Sequence, residues 1–306
     1  MPFKLIKGSF RVVGLSPDGD SIRFFPDQPD VMNGLPGGPD NQPQRPFAQL
    51  RLEAIDALET HYAGRHQPIR WARAARDRLL DFVGVTGVQW DATGSTIVAA
   101  SDGTTRGSIL SRAKDKYGRP IAFVFADELE GEDGSDVRLD VAQLRDSYNH
   151  LALREGLAYP TYYEGLFPDL RNELTAVTQQ ARADGLGLWP EDRTTSGVDA
   201  TRLSVIMDDA PILPKLFRRL SDYMAAKGTA VGFRDALAAG RDAVLDLQTM
   251  GFTHLDTFVE QAAGSSFVRL TRNPEELVFD PMPQRAGNFF AAMVGAPISG
   301  DAEATA

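Results

Sequence analysis

Three short charged motifs stand at the ends of alternating apolar stretches, and their order constrains this chain more than any other feature. They are Asp18-Gly19-Asp20, the run Arg51-Leu52-Glu53-Ala54-Ile55-Asp56-Ala57-Leu58-Glu59, and Asp115-Lys116-Tyr117-Gly118-Arg119. Residues 9–25 alternate around the first motif. Phe10, Val12 and Leu15 lead in, and Ile22 and Phe24 lead out. This predicts a β-hairpin, with Pro17 weakening the strand just before the turn. Residues 48–55 alternate again, with Leu50, Leu52 and Ala54 on one face, and predict a strand ending at Asp56. Residues 120–126 predict another strand directly after Arg119. Side chains at strand ends are carried by loops on a rigid scaffold, where distant segments can meet.

The remaining sequence predicts helices around these strands. Residues 26–47 are rich in Pro, Gly, Asn and Gln and read as a long surface loop. Residues 68–83 switch to helical spacing, with Trp71, Ala75, Leu79 and Phe82 on one side. Short β-like pieces follow at 85–90 and 96–100, and an acidic loop at 127–136. Helices are predicted near 140–155 and 168–185, each stopping near a glycine, Gly156 and Gly185. About five strands with inserted and appended helices suit a small, partly open α+β barrel. Residues 1–192 are taken as this domain, and the small polar residues 193–200 as a linker. Beyond them, helical spacing at 212–226, 231–249 and 253–262, followed by β-like pieces at Phe267–Leu270 and Leu277–Phe279, predicts a second, mostly helical domain over 201–294. Leu213, Leu216, Phe217 and Leu220 form one apolar stripe there. The small polar residues 295–306 are predicted to be disordered.

Composition excludes several chemistries. The chain of 306 residues has no cysteine, so disulfides, thiolate metal sites and cysteine nucleophiles are ruled out. The four histidines, His61, His66, His150 and His254, form no ligand pair, which argues against zinc. No apolar run approaches the roughly 18 residues of a membrane helix. The first residues lack an apolar leader, so a cytoplasmic location is expected. A net charge of −10 argues against broad electrostatic binding of nucleic acid. Any such binding must use local positive charge, and Arg106, Arg112, Lys114, Lys116 and Arg119 form one local cluster.

Taken together, the motifs resemble those of the staphylococcal nuclease (thermonuclease) family. The resemblance runs from about residue 8 to 192 and rests on five pieces in family order. These are Asp-Gly-Asp-Ser at 18–21, Arg-Leu-Glu-Ala-Ile-Asp-Ala-Leu-Glu-Thr at 51–60 and Lys-Asp-Lys-Tyr-Gly-Arg at 114–119, then Leu-Arg-Glu-Gly-Leu-Ala at 153–158 and Gly-Leu-Gly-Leu-Trp at 185–189. It implies an OB-type, five-stranded β-barrel and calcium-dependent cleavage of DNA and/or RNA. Carried over by motif position, Asp20 and Asp56 look like the calcium carboxylates, with the backbone carbonyl of Ala57 as a further ligand. Glu59 matches the residue that positions or deprotonates the attacking water. Arg51 and Arg119 match the arginines that hold the phosphate. Tyr117 and Tyr162 match tyrosines that bind the nucleotide, with Lys116 alongside. One position departs from the pattern: Leu58 stands where proline is usual, and a proline would fix φ in the loop presenting Glu59.

The residue chemistry agrees with this. Calcium takes oxygen ligands in flexible geometry, and arginine's planar fork suits two phosphate oxygens at once. The family likeness implies in-line attack of water, leaving a 5′-hydroxyl and a 3′-phosphate. Each fragment alone has a plainer reading. Asp20 can be a turn residue, and Arg51 with Asp56 a strand-end salt bridge. Two further functions stay open. One is a barrel that binds nucleic acid or protein without cleaving. The other is a nuclease effector regulated by its C-terminal part, which can also pack, take a protein partner or self-associate.

Overall fold

The segment Ala48–Leu52 touches both edges of one sheet, and this bends the sheet into a nearly closed barrel. The structure is a computed structural model that describes residues 2–39 and 43–280. In chain order the first elements are β1 (Phe3–Arg11), β2 (Arg23–Pro26), α1 (Pro29–Asn33), β3 (Ala48–Gln49), β4 (Arg51–Leu52) and β5 (Ile55–Ala57). Next come α2 (Ile69–Phe82), β6 (Gln89–Trp90), β7 (Ile97–Ala99), β8 (Thr104–Lys114), β9 (Pro120–Phe125) and β10 (Asp136–Val137). The main sheet runs β3-β2-β1-β8-β9-β4, with β10 added on β1. Only Leu50 separates β3 from β4, so one interrupted strand pairs with β2 at one edge and with β9 at the other. Counting that strand once, the barrel has the five strands expected.

Aromatic and branched residues fill the interior, as pleated surfaces favour. Phe3, Leu5, Phe10, Phe24, Leu52 and Phe123 are all buried. α2 matches its predicted helix closely and buries Ala75 and Leu79 against the barrel. The first motif is not the tight hairpin expected. β1 and β2 pair through Ser9 and Phe25, and the chain between them makes a long excursion whose tip is pinned by an Asp18–Ser21 bridge.

Downstream lie α3 (Val141–Leu144), α4 (Tyr148–Arg154), β11 (Ala158–Pro160), β12 (Tyr162–Tyr163) and α5 (Pro168–Ala183). The single helix predicted over 140–155 is two. Asp140 caps α3 by accepting from the Gln143 amide, and Ser147 starts α4 by accepting from the His150 amide. Both side chains satisfy amides that a helix start leaves orphaned.

Residues 193–280 correct the expectation of a mostly helical domain. They hold β13 (Val198–Asp199), α6 (Pro214–Lys227), α7 (Phe233–Gly240), β14 (Ala243–Asp246), β15 (Gly251–His254), β16 (Val259–Glu260), β17 (Phe267–Leu270) and β18 (Leu277–Phe279). The helix predicted over 231–249 stops at Gly240, and Arg241 turns left-handed at φ 52°. Ala243–Asp246 then pairs with β15 and β18, so its apolar residues lie in a sheet. The helix predicted over 253–262 is the end of β15, one 3-10 turn and β16. Residues 193–200 are packed rather than open. Thr194 is fully buried, and its hydroxyl accepts from the Leu213 amide at 2.9 Å. The predicted tail at 295–306 lies outside the described residues.

Packing crosses the boundary expected at residue 192. β12 pairs in parallel with β18, through Tyr162 with Val278 and Tyr163 with Phe279. Leu58, Ala72, Tyr159 and Trp189 share one apolar cluster with Leu213, Leu216, Phe217 and Leu220. No helix among the described residues is long and apolar enough to cross a membrane.

Candidate active site

Three segments converge beside β5. Asp18 folds its own turn, its carboxylate accepting from the Gly19 amide at 2.9 Å. Gly19 is required by close approach. A Cβ there would stand 2.6 Å from the Ala75 Cβ and 2.7 Å from the Ala57 Cβ. The buried Tyr148 hydroxyl lies 3.1 Å from the Gly19 carbonyl and 2.9 Å from the Ala75 carbonyl, tying the turn to α2. Asp20 is thereby held against the strand, where its carboxylate accepts from the Ala57 amide at 3.3 Å. Asp56 is buried in the middle of β5, opposite Tyr159 of β11.

Glu59 lies two residues beyond the end of β5, and Leu58 between them explains how it is held. Leu58 is fully buried in the apolar cluster shared with α6, so packing fixes this turn where a proline ring would have stiffened it. Gln67 staples the loop further. Its side chain accepts from the Glu59 amide at 3.4 Å and donates to the Ile212 carbonyl at 2.7 Å, and its amide donates to the Glu59 carbonyl at 2.9 Å. Packing and hydrogen bonds thus hold the loop without the proline.

A residue no motif pointed to completes the centre. Arg218, on α6, places Nη1 3.1 Å and Nη2 2.8 Å from the two oxygens of Asp56. The same Nη1 lies 2.5 Å from Glu59 Oε1. The guanidinium thus bridges the second and third carboxylates of the predicted site. Sequence carried one weak signal, a helix with an apolar stripe at Leu213, Leu216, Phe217 and Leu220 and a basic residue on its flank. Nothing in that pattern says which segment the flank faces.

The electrostatics follow from crowding of acids. Burial first, then the Asp56 and Glu59 charges, pushes the Asp20 carboxyl up to about 7. Burial and the Asp20 charge do the same to Asp18. Glu59 is raised to about 7, chiefly by burial, with Arg218 pulling the other way. Burial works against the charge on Arg218, but Asp56 and Glu59 outweigh it and hold its proton tightly. Like charges in a poorly solvated site cannot all ionise cheaply, and one guanidinium relieves part of that cost.

The predicted phosphate and nucleotide residues divide into two groups. Arg51 opens β4 with its guanidinium 4.2 Å from the Tyr163 ring centre. Desolvation there is outweighed by Tyr163, Asp56 and Asp20, so its pKa is raised. Arg119 instead turns back on its own loop. Its Nε donates to Asp115 at 2.8 Å, and Asp115 also accepts from the Tyr117 and Arg119 amides, each at 2.9 Å. Tyr117 is 65 % exposed, with Lys116 and Arg119 flanking its ring. Tyr162 is fully buried, and its hydroxyl pairs with Thr175 at 2.9 Å. It is a core residue, and its neighbour Tyr163 is the tyrosine that meets Arg51. The basic cluster is partly neutralised, because Arg106 pairs with Asp27 and Glu128. The acidic 127–136 loop binds along β1, through Asp136 to Lys4 and Asp133 to the Lys7 amide.

The donors a calcium ion would need are already engaged. Both Asp56 oxygens and one Glu59 oxygen are held by Arg218, and Asp20 accepts from Ala57. Among the described residues no three carboxylate or imidazole groups are placed to hold one metal ion. Calcium requires about 6–8 oxygens. As arranged, these residues do not fit it.

Residues 49–191 match the family model described as staphylococcal nuclease homologue. No curated protein matches the chain. The matched stretch contains Arg51, Asp56, Glu59 and Arg119, whereas Asp20 precedes it and Arg218 follows it.

Proposed function

From a barrel of the nuclease type, we propose that this chain hydrolyses phosphodiester bonds of DNA and/or RNA. The observation that carries the reading is the convergence of Asp20, Asp56 and Glu59 beside β5, with Arg51 opening the preceding strand. In this reading Glu59 takes the proton from a water that attacks the phosphorus in line. A carboxyl poised near neutrality suits that task. Arg51 holds two non-bridging oxygens with its planar fork, and Tyr163 keeps the fork oriented. The exposed Lys116-Tyr117 corner meets the adjoining nucleotide by charge and stacking, with Arg119 beside it. The leaving 5′ oxygen takes up a proton from solvent, and Glu59 returns its proton to solvent, giving a 5′-hydroxyl and a 3′-phosphate. Calcium at Asp20, Asp56 and the Ala57 carbonyl is the expectation from the family likeness. No step here is routed through it, because the donor set is engaged elsewhere. Action in the cytoplasm belongs to the same reading.

One observation favours a second reading. Glu59 is ion-paired with Arg218, and a paired carboxylate is a poor base. A barrel that binds nucleic acid without cleaving it would tolerate that pair. Digestion of plasmid DNA and single-stranded RNA separates the two, with calcium, with EDTA and with Glu59→Ala. The nuclease reading expects cleavage that Glu59→Ala abolishes. Absence of cleavage on both substrates, in the wild type and in Arg218 variants alike, would favour the binding reading.

A further inference from the structure

The carboxylate centre already contains a cation, and the protein supplies it. We propose that Arg218 is the resident cation of this site, and that its guanidinium competes with a divalent metal ion for Asp56. The inference takes the identity of the site from the nuclease reading, but its test reads binding rather than cleavage.

Three observations support it. The first is geometric: one guanidinium reaches three carboxylate oxygens on two residues, both oxygens of the expected metal ligand Asp56 among them. A planar fork that pairs with a carboxylate through two hydrogen bonds is a specific, charge-assisted contact. The second is anchorage. α6 buries Leu216, Phe217 and Leu220, so the backbone carrying Arg218 is fixed. It is also tied to the loop after Glu59. The Tyr62 hydroxyl donates to Asp222 at 2.7 Å, Arg65 pairs with Asp222, and Arg65 Nη1 donates to the Ser221 carbonyl at 3.1 Å. The fold therefore fixes the backbone position from which the arginine reaches the carboxylates.

The third is room to leave. Arg218 keeps 25 % of its side chain exposed, and it lines a cavity of about 480 Å³ with Tyr62, Arg219, Asp222, Tyr223 and Phe233. The side chain can swing into that space while its helix stays packed. A divalent ion arriving at Asp56 would bring twice the charge in a smaller volume, and the displaced guanidinium would enter the open cavity, where Asp222 is already paired with Tyr62 and Arg65. Metal affinity is then set by the difference between two occupants of one place.

The test is calorimetric titration of the full chain with calcium chloride alone, comparing wild type, Arg218→Gln and Arg218→Lys. Circular dichroism checks each fold. Removing the guanidinium charge is expected to tighten calcium binding by at least about tenfold, equivalent to about 1.4 kcal/mol. Arg218→Lys keeps a point charge without the fork, and is expected to give a smaller gain. It also serves if the glutamine variant fails to fold. Adding Asp56→Asn to Arg218→Gln should erase the gain. Unchanged calcium affinity in the charge-removed variant would overturn the proposal, and so would a gain that survives Asp56→Asn. Cleavage assays on the same samples keep the two readings apart. Tightened binding without cleavage leaves this inference standing and removes the nuclease reading. Cleavage without tightened binding does the reverse.

Discussion

Arg218 and Asp56 are separated by 162 positions in the chain, yet two guanidinium nitrogens lie 3.1 and 2.8 Å from the two Asp56 oxygens. The segment after residue 192 is thereby part of the candidate site. It contributes a charge to it, buries Leu58 beside it, and ties down the loop that presents Glu59. A site drawn from residues 1–192 alone would lack the group that neutralises its acids.

In the proposed reading Arg51, rather than Arg119, acts on the phosphate. It lies over Tyr163 and is charge-coupled to Asp56 and Asp20, whereas Arg119 is bound to Asp115. Removing one preorganised transition-state donor costs roughly 2.7–4 kcal/mol, or about 10²–10³ in rate. Arg51→Ala is expected to lose at least that in kcat/KM on whichever nucleic acid the wild type cuts. Near-wild-type cleavage by this variant would remove Arg51 from the mechanism.

Adjacent tyrosines should behave differently. Tyr163 supports the Arg51 guanidinium, and such a contact is worth about 1 kcal/mol, roughly fivefold in kcat/KM. Tyr163→Ala is expected to lose that factor. Tyr162 faces the interior and bonds Thr175. The effect of Tyr162→Phe should therefore show in the unfolding midpoint, at about 1 kcal/mol for one buried hydrogen bond. A large KM effect from Tyr162→Phe, with no loss of stability, would contradict this division.

How far the site is legible in sequence depends on contact range. Asp20, Asp56 and Glu59 could be singled out because their motifs stand in the order of the family they resemble, and the structure places these three side chains near one another. α2 and β9 are readable because each keeps one period over several residues. Arg218 is not readable, since helical spacing names a face and not its partner. The Tyr162–Tyr163 assignment turns on one residue of register, and one step along a strand reverses which face a side chain takes. β17 and β18 coincide with the β-like pieces expected at 267–270 and 277–279, whereas β13–β16 are two to four residues long, too short to carry a period, and tertiary pairing makes them. The helices predicted there fail because a run such as Ala243-Val244-Leu245 satisfies its backbone through β15 and β18.

A buried ion pair links α5 to the turn before β18. Arg182 donates through Nη1 and Nη2 to the two oxygens of Glu275, at 2.6 and 2.9 Å, and the Glu275 side chain is 1 % exposed. Removing one partner of such a pair leaves an uncompensated charge and costs about 3–5 kcal/mol. Arg182→Ala and Glu275→Ala are each expected to destabilise by about that amount in urea unfolding. The double change to Arg182→Met with Glu275→Leu should recover most of the loss, since apolar replacement of both partners removes the stranded charge.

His150 gives a pH signature separate from the site. Burial, opposed by Glu173, holds its pKa below the ordinary 6.5. A folded-state pKa below the unfolded one means the unfolded chain binds the proton more readily. The stability this provides is present above about 6.5 and is lost as the pH falls toward the folded-state value. Glu173 is lowered by Arg145 first, then by His150, so its contribution is present above 4.5 and lost below it. Asp18, Asp20 and Glu59, raised to about 7, act in the opposite direction over the upper window, so the His150 contribution is read as a difference between two proteins. His150→Gln should shift the upper slope toward less loss on acidification and leave the window below 4.5 unchanged, and equal upper slopes in the two proteins would exclude His150 as a contributor.

Truncation tests whether the barrel stands alone. The packing argues that it does not. Leu58 and Tyr159 are fully buried in a cluster whose other side is Leu213, Leu216, Phe217 and Leu220. β12 has Val278 and Phe279 of β18 as pairing partners, and Arg182 has Glu275. A chain ending at residue 192 would return these apolar groups to water at about 1.5–3 kcal/mol for each large side chain. It would also strand the Arg182 charge. Net stabilities of whole domains are only about 5–15 kcal/mol, so losses at several such residues are enough to unfold one. The 1–192 fragment is expected to express poorly, to bind a dye that reports exposed apolar surface, and to lack a sharp thermal transition. The full chain is expected to unfold in one cooperative step. A soluble fragment melting at the full-chain temperature would mean that the shared cluster contributes little, and that the C-terminal part can leave the site without unfolding the barrel.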